Sequence, residues 1–154
     1  MLEPFNINKY AKKDPEDILY ENLYEKFGDR FSEYRKRYSD NIKRLDLDKK
    51  TKFPNTVILE LVNRCDLECV MCYQGFRNNA KKSTLDENLL DKIFSEFKKN
   101  KLNSLMLSAS EPLLYKNIGD VLERARKAEI MDIFIFTNGT LLNEKNAKIL
   151  LHSP

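Results

Sequence analysis

The chain has 154 residues, enough for one domain with a real core. Apolar residues make up 42% of it and charged residues 33%, a balance that excludes a disordered chain and indicates a soluble globular one. Lys and Arg exceed Asp and Glu by only 27 to 24 and are scattered, so no nucleic-acid partner is expected, and no apolar run has the length of a signal-peptide core or a membrane span.

Residues 1–13 read as an irregular arm. Asp14-Pro15 is a helix start, with Asp as N-cap and Pro at the first helical position. Ile18, Leu19, Leu23 and Phe27 then fall on one face, and Gly28 can end the helix. A second helix is predicted from Asp29 to about Leu45, with Phe31, Tyr34, Tyr38, Ile42 and Leu45 as its apolar stripe. The opposite face carries Arg35, Lys36, Arg37, Lys43 and Arg44, expected to be a solvated face; a dock for an acidic or phosphorylated partner is the alternative. Residues 46–52 form a charged linker, and Phe53-Pro54 opens a new region. Two parts are therefore expected: a helical lead-in over residues 1–52 and an α/β part over 53–154.

From Val57 the pattern alternates between strands and helices. Val57–Val62 is nearly all apolar, as a parallel strand covered on both faces would be; Glu60 is its exception. Glu60 is either a structural carboxylate or a group near a site at the strand end. Thr84-Leu85-Asp86-Glu87 has the form of a capping box, followed by Leu85, Leu89, Leu90, Ile93, Phe94 and Phe97 at helical spacing. Lys98, Lys99 and Asn100 would close that helix, with Asn100 tolerating a left-handed backbone. A strand over residues 104–108, a helix over 117–128, a strand over 133–137 and a helix from near Asn143 complete three βα units, which require a parallel sheet.

All three cysteines lie in one loop after the first strand, Cys65-Asp66-Leu67-Glu68-Cys69-Val70-Met71-Cys72, spaced C-x3-C-x2-C. Thiolates suit iron–sulfur clusters or zinc. A zinc site would need His152, the sole histidine, and has no second knuckle. Three thiolates on a four-iron cluster leave one iron open to a small molecule. Absence of a secretion signal and use of reduced thiols fit a cytoplasmic location.

The cysteine spacing, with Met71 in the apolar position before the last thiol, resembles the C-x3-C-x-Φ-C signature of the radical SAM superfamily. Ser108-Ala109-Ser110-Glu111-Pro112 is similar to that family's Gly-Gly-Glu-Pro element, and Thr137-Asn138-Gly139-Thr140 to its T-N-G element. The resemblance implies a 4Fe–4S cluster on Cys65, Cys69 and Cys72, with S-adenosylmethionine on the open iron. One electron from an external donor would break the sulfonium C–S bond, and the 5′-deoxyadenosyl radical would take hydrogen from a substrate. It also implies cofactor contacts from Met71, from the backbone of Ala109 and Ser110, from the Glu111 carboxylate to the methionine ammonium, and from Asn138. Ala109 and Ser110 depart from the family's glycines, which puts the local backbone path in question. Asn138 is equally a turn residue, the lesser alternative for Glu111 is a surface carboxylate beside a turn proline, and Tyr73 either shields the cluster or packs; Gln74 and Arg77 carry no assigned role.

The fold implied is an incomplete TIM-like radical SAM barrel. The family barrel has six βα units, about 180 residues at roughly 30 per unit, and about three are expected here. The chain would be the first half-barrel of a longer protein, or a short protein completed by another chain. The helical lead-in resembles members with a C-terminal SPASM extension for auxiliary clusters. The substrate implied is a peptide, carbohydrate or small metabolite. The alternative is a non-catalytic iron–sulfur or zinc-binding module that needs a partner chain.

Overall fold

The structure, a computed structural model, describes residues 15–43, 52–73 and 82–151. The arm, Asp14, Arg44, Leu45, most of the linker, Gln74, Arg77 and His152 lie outside those residues, as do the side chains of Ile42 and Lys43. The chain divides into two compact units, Met1–Asp48 and Lys49–Pro154.

In the first unit, α1 (Pro15–Phe27) and α2 (Asp29–Lys43) are joined at Gly28. Gly28 has φ +54° and donates its N–H to Tyr24 O at 2.7 Å, so a glycine is suited to stopping α1 there. Phe31 and Tyr34 are buried, and the Tyr20 and Phe31 rings lie 6.0 Å apart. Leu19, expected in the stripe, is exposed. The Arg35 guanidinium lies 4.5 Å from the Tyr20 ring and 5.3 Å from that of Tyr38, so this member of the basic run packs on aromatic faces. Lys36 and Arg37 are exposed, as a solvated face requires.

The second unit holds β1 (Thr56–Leu59), α3 (Glu87–Lys99), β2 (Ser104–Leu107), a 3-10 turn (Pro112–Leu114), α4 (Ile118–Lys127), β3 (Asp132–Ile135) and α5 (Glu144–Leu151). The sheet order is β1-β2-β3, all parallel, with Ile58 opposite Met106 and Met106 opposite Phe134. Side chains alternate between faces. Leu59, Leu105 and Leu107 enter the buried cluster with Leu90, Phe94, Phe97, Val121, Leu122 and Ala125 of the helices, and Val57, Ile133 and Ile135 pack against it.

The other face departs from expectation. Ile58 is 62% exposed and Phe134 44%, so among the described residues the strands are covered on one side only. Strands laid down in sequence order with crossovers of one hand place their helices on one face, as in a barrel wall. The strands are also shorter than the apolar runs. β1 stops at Leu59 because Val62 turns to form an antiparallel bridge with Thr84. That bridge uses Thr84, and Asp86 is the N-cap of α3 in place of a capping box: its carboxylate accepts from Asn88 N and Leu89 N.

Both inner helices end in the same way. Leu102 N–H donates to Phe97 O and Lys101 N–H to Lys98 O; Ile130 and Glu129 repeat this with Ala125 and Arg126. These are Schellman ends, in which Lys101 (φ +53°) and Glu129 (φ +60°) hold the left-handed position and Leu102 and Ile130 are buried beyond it. Asn100 is the C-cap with φ −94°, so the left-handed residue is the next one along.

Candidate functional site

Three segments leave the C-terminal ends of the three parallel strands, and every residue implied by the sequence as a ligand or cofactor contact lies in them. The first is anchored at its base. Leu61 and Val62 are buried, Leu85 N–H donates to Leu61 O at 2.9 Å, and Arg64 Nη1 donates to Thr84 Oγ1 at 3.0 Å and Ser83 O at 3.3 Å. The cysteine loop therefore starts from a fixed stem.

The three cysteines are free thiols; Cys65 and Cys72 are half-buried and Cys69 is exposed. Cys72 N–H donates to Cys69 O at 2.9 Å, which turns the chain between the last two thiols. Cys65 Sγ accepts from Leu67 N at 3.5 Å and from Asn138 Nδ2 at 3.6 Å. Val70 and Met71 stand in solvent, Met71 at 86% exposure. Among the described residues, no three Cys, His, Asp or Glu side chains are gathered closely enough to hold a metal ion. The donor set nevertheless fits a thiolate-bound cluster. It offers three free sulfurs within one eight-residue stretch of loop, none of them among the buried core residues.

The second segment is tied to the first residue by residue. Tyr73 OH donates to Ala109 O at 2.6 Å, Ser110 Oγ donates to Glu60 Oε1 at 2.7 Å, and Glu111 N–H donates to Arg64 O at 3.3 Å. Ala109 has φ +80°, so the backbone keeps a glycine-like path with an alanine in it. Glu60 thus lies at the site rim, held by Ser110.

Glu111 is 2% exposed. Its Oε1 accepts from Leu113 N at 2.9 Å and Thr137 Oγ1 at 2.8 Å, and its Oε2 accepts from Asn138 N at 2.8 Å. Three donors offset the desolvation of the carboxylate and tie the end of β2 to the end of β3. A carboxylate accepts about four hydrogen bonds, so one lone-pair position on Oε2 remains, behind the rim. The alternative of a surface carboxylate does not hold, because Glu111 is buried; the carboxylate expected to meet an ammonium is already engaged by three protein donors.

The third segment turns through Gly139 (φ +80°). Asn138 Oδ1 accepts from Thr140 N at 2.8 Å, and Asn138 Nδ2 donates to Asp66 Oδ1 at 2.8 Å. Thr140 Oγ1 also reaches Asp66 Oδ2. The Thr140 hydroxyl, then the Asn138 amide, hold the Asp66 carboxyl below its ordinary range. The sequence reading named Thr137 and Thr140 only as part of the T-N-G element and gave Asp66 no role. The signal available for the threonines was their place on either side of Asn138-Gly139; Asp66 had none beyond its place beside Cys65.

Comparison with known proteins shows the family and the fold. Residues 59–154 match the radical SAM superfamily. The chain is 28% identical over 103 residues to the GTP 3′,8-cyclase of Aquifex aeolicus, covering 64% of this chain and 32% of that protein. It is 30% identical over 94 residues to a probable GTP 3′,8-cyclase of Methanocaldococcus jannaschii, covering 59% and 30%. The chain thus spans about a third of the length of the curated relatives it matches. BtrN in complex with AdoMet and 2-DOIA superposes with a TM-score of 0.60 at 20% identity, over 66% of this chain and 43% of that one. Streptococcus suis SuiB bound to S-adenosylmethionine gives 0.59 at 20% identity, over 96% and 35%. These two share the fold. The family match takes in the last three residues before the first cysteine stem turns, all three rim segments and both inner helices, and the chain belongs to the radical SAM superfamily.

Proposed function

We propose that residues 53–154 are the first half of a radical SAM barrel, preceded by a helical lead-in over residues 1–52, and that Cys65, Cys69 and Cys72 hold a 4Fe–4S cluster. With S-adenosylmethionine on its open iron, such a cluster supplies one-electron cleavage of the sulfonium C–S bond, the electron coming from an external donor, and so hydrogen abstraction from a substrate. The chain's own residues bind and orient. The Ser110 carbonyl and the second lone pair of the Ala109 carbonyl, whose first takes the Tyr73 hydroxyl, offer backbone acceptors to the methionine ammonium, and Glu111 stands behind them with its remaining Oε2 position. Met71, 86% exposed, is free to fold over the adenosyl group. Asn138 holds Cys65 and Asp66 in place.

The observation that carries this reading is the link between Asn138 and Cys65, which brings the third rim segment onto the cysteine loop. Solved structures bound to S-adenosylmethionine and to a precursor peptide share the fold. SuiB bound to precursor peptide SuiA shares the fold at 19% identity with a TM-score of 0.58, and a peptide is the substrate class we put forward, ahead of a carbohydrate or small metabolite. The three free thiols fit a reducing, cytoplasmic setting.

The test is anaerobic reconstitution with iron and sulfide, reduction, addition of S-adenosylmethionine and assay for 5′-deoxyadenosine. Four irons per chain and 5′-deoxyadenosine support the reading. A cluster without cleavage supports a non-catalytic module completed by a partner chain, and stoichiometric zinc in place of iron supports a zinc site.

A further inference from the structure

We propose that Tyr73 is a positioning residue: its phenol closes the cysteine loop onto the Ser108–Pro112 segment and keeps Ala109 in the glycine-like backbone that presents the methionine-binding groups. This rests on the radical SAM reading of the two loops. Three consecutive residues of the second segment are each held by the first. Ser110 is held by Glu60 and Glu111 by Arg64, both of which precede Cys65. Tyr73 follows Cys72 and grips Ala109 from the other end of the loop, 36 residues away in sequence. The cysteine loop is thereby fastened to the second segment on both sides of its thiols.

The fastening falls on the strained residue. Ala109 has φ +80°, a region that favours glycine, and its carbonyl is the atom that Tyr73 holds at 2.6 Å. An alanine freed from that grip relaxes toward negative φ and swings its carbonyl away. A glycine would stay without help. The tyrosine and the alanine therefore act as a pair, one supplying from outside what the other lacks.

The pair makes a prediction that a packing role does not. In the reconstituted chain, Tyr73→Phe weakens S-adenosylmethionine binding about fivefold, the factor that one ordinary hydrogen bond commands. In an Ala109→Gly background the same change weakens it less than twofold. In the chain without metal, Tyr73→Phe lowers the urea midpoint when Ala109 is present and leaves it nearly unchanged when Ala109→Gly accompanies it. Equal losses in both backgrounds, in binding or in urea, overturn the pairing. Wild-type binding with no loss in Tyr73→Phe overturns the inference alone; a wild type that takes up cluster yet binds no S-adenosylmethionine overturns the inference together with the reading beneath it.

Discussion

Asn138 and Cys65 stand 73 residues apart in sequence, and the Asn138 amide nitrogen lies 3.6 Å from the Cys65 sulfur. The same nitrogen donates to Asp66 Oδ1 at 2.8 Å, so one side chain spans a thiol and its neighbour. An N–H pointed at a ligand sulfur favours the more negative, reduced state of a cluster. Asn138→Ala is expected to shift the midpoint potential of the reconstituted cluster to more negative values, read by redox titration with electron paramagnetic resonance. An unchanged potential would show that the contact does not survive cluster binding.

Glu111 is expected to be the most sensitive polar residue of the rim. Glu111→Gln keeps the shape but turns an NH2 toward a position that now faces an N–H or O–H donor. Leaving one buried donor unsatisfied costs about 2 kcal/mol. Urea denaturation followed by circular dichroism reads this directly, and a loss under about 0.5 kcal/mol would mean that the three donors find other partners.

Tyr115 gives the fold a pH limit on the alkaline side. Burial, then its hydrogen bond to Glu87 Oε1 at 2.9 Å, push the phenol from 10.0 up to about 12. A raised folded value means that the contribution is complete below pH 10.0 and is lost as pH rises toward about 12, because the unfolded chain ionises first. The urea midpoint is expected to fall across that window in the wild type and to fall less in Tyr115→Phe.

The two Schellman ends have room for improvement. Lys101 and Glu129 occupy left-handed backbone that glycine adopts freely. Lys101→Gly and Glu129→Gly are each expected to stabilise the chain by about 0.5 kcal/mol, the left-handed penalty less the extra entropy of glycine. Thermal melts of the single and double variants measure it, and the two gains should add because the helices end independently.

Arg124 ties α3 to α4. It meets Asp120 Oδ2 at 2.6 Å, Glu87 Oε2 at 3.0 Å and Asp91. The guanidinium is largely covered, Glu87 and Asp120 are half-exposed and Asp91 is exposed, so Arg124→Met is expected to cost about 1 kcal/mol at low salt. The difference should shrink in 1 M salt, where screening is strong.

What could be read ahead of the structure followed from periodicity and local chemistry. The apolar spacing of Leu90, Phe94 and Phe97 places α3, and Gly28 ends α1, because each needs only its neighbours in sequence. The misses came from distant partners. Thr84 looked like a cap, yet Val62 and Arg64 claim it from about a score of residues upstream, and the cap passes to Asp86. The run Val57–Val62 looked like one strand, yet its last residues turn away to that same bridge. The uncovered side of the sheet was invisible because an apolar run reads alike whether its second face meets helices or nothing described. The family was legible from the cysteine spacing, while Asp66 and Thr140 found their partners only when the third segment folded over the first.

The matched register of Ile58, Met106 and Phe134 lays three side chains in a row across the sheet, about 4.8 Å from strand to strand. These side chains have no strong hydrogen-bonding group among them, so water beside them is poorly held and readily displaced. That face of the sheet is thus a surface of low wettability.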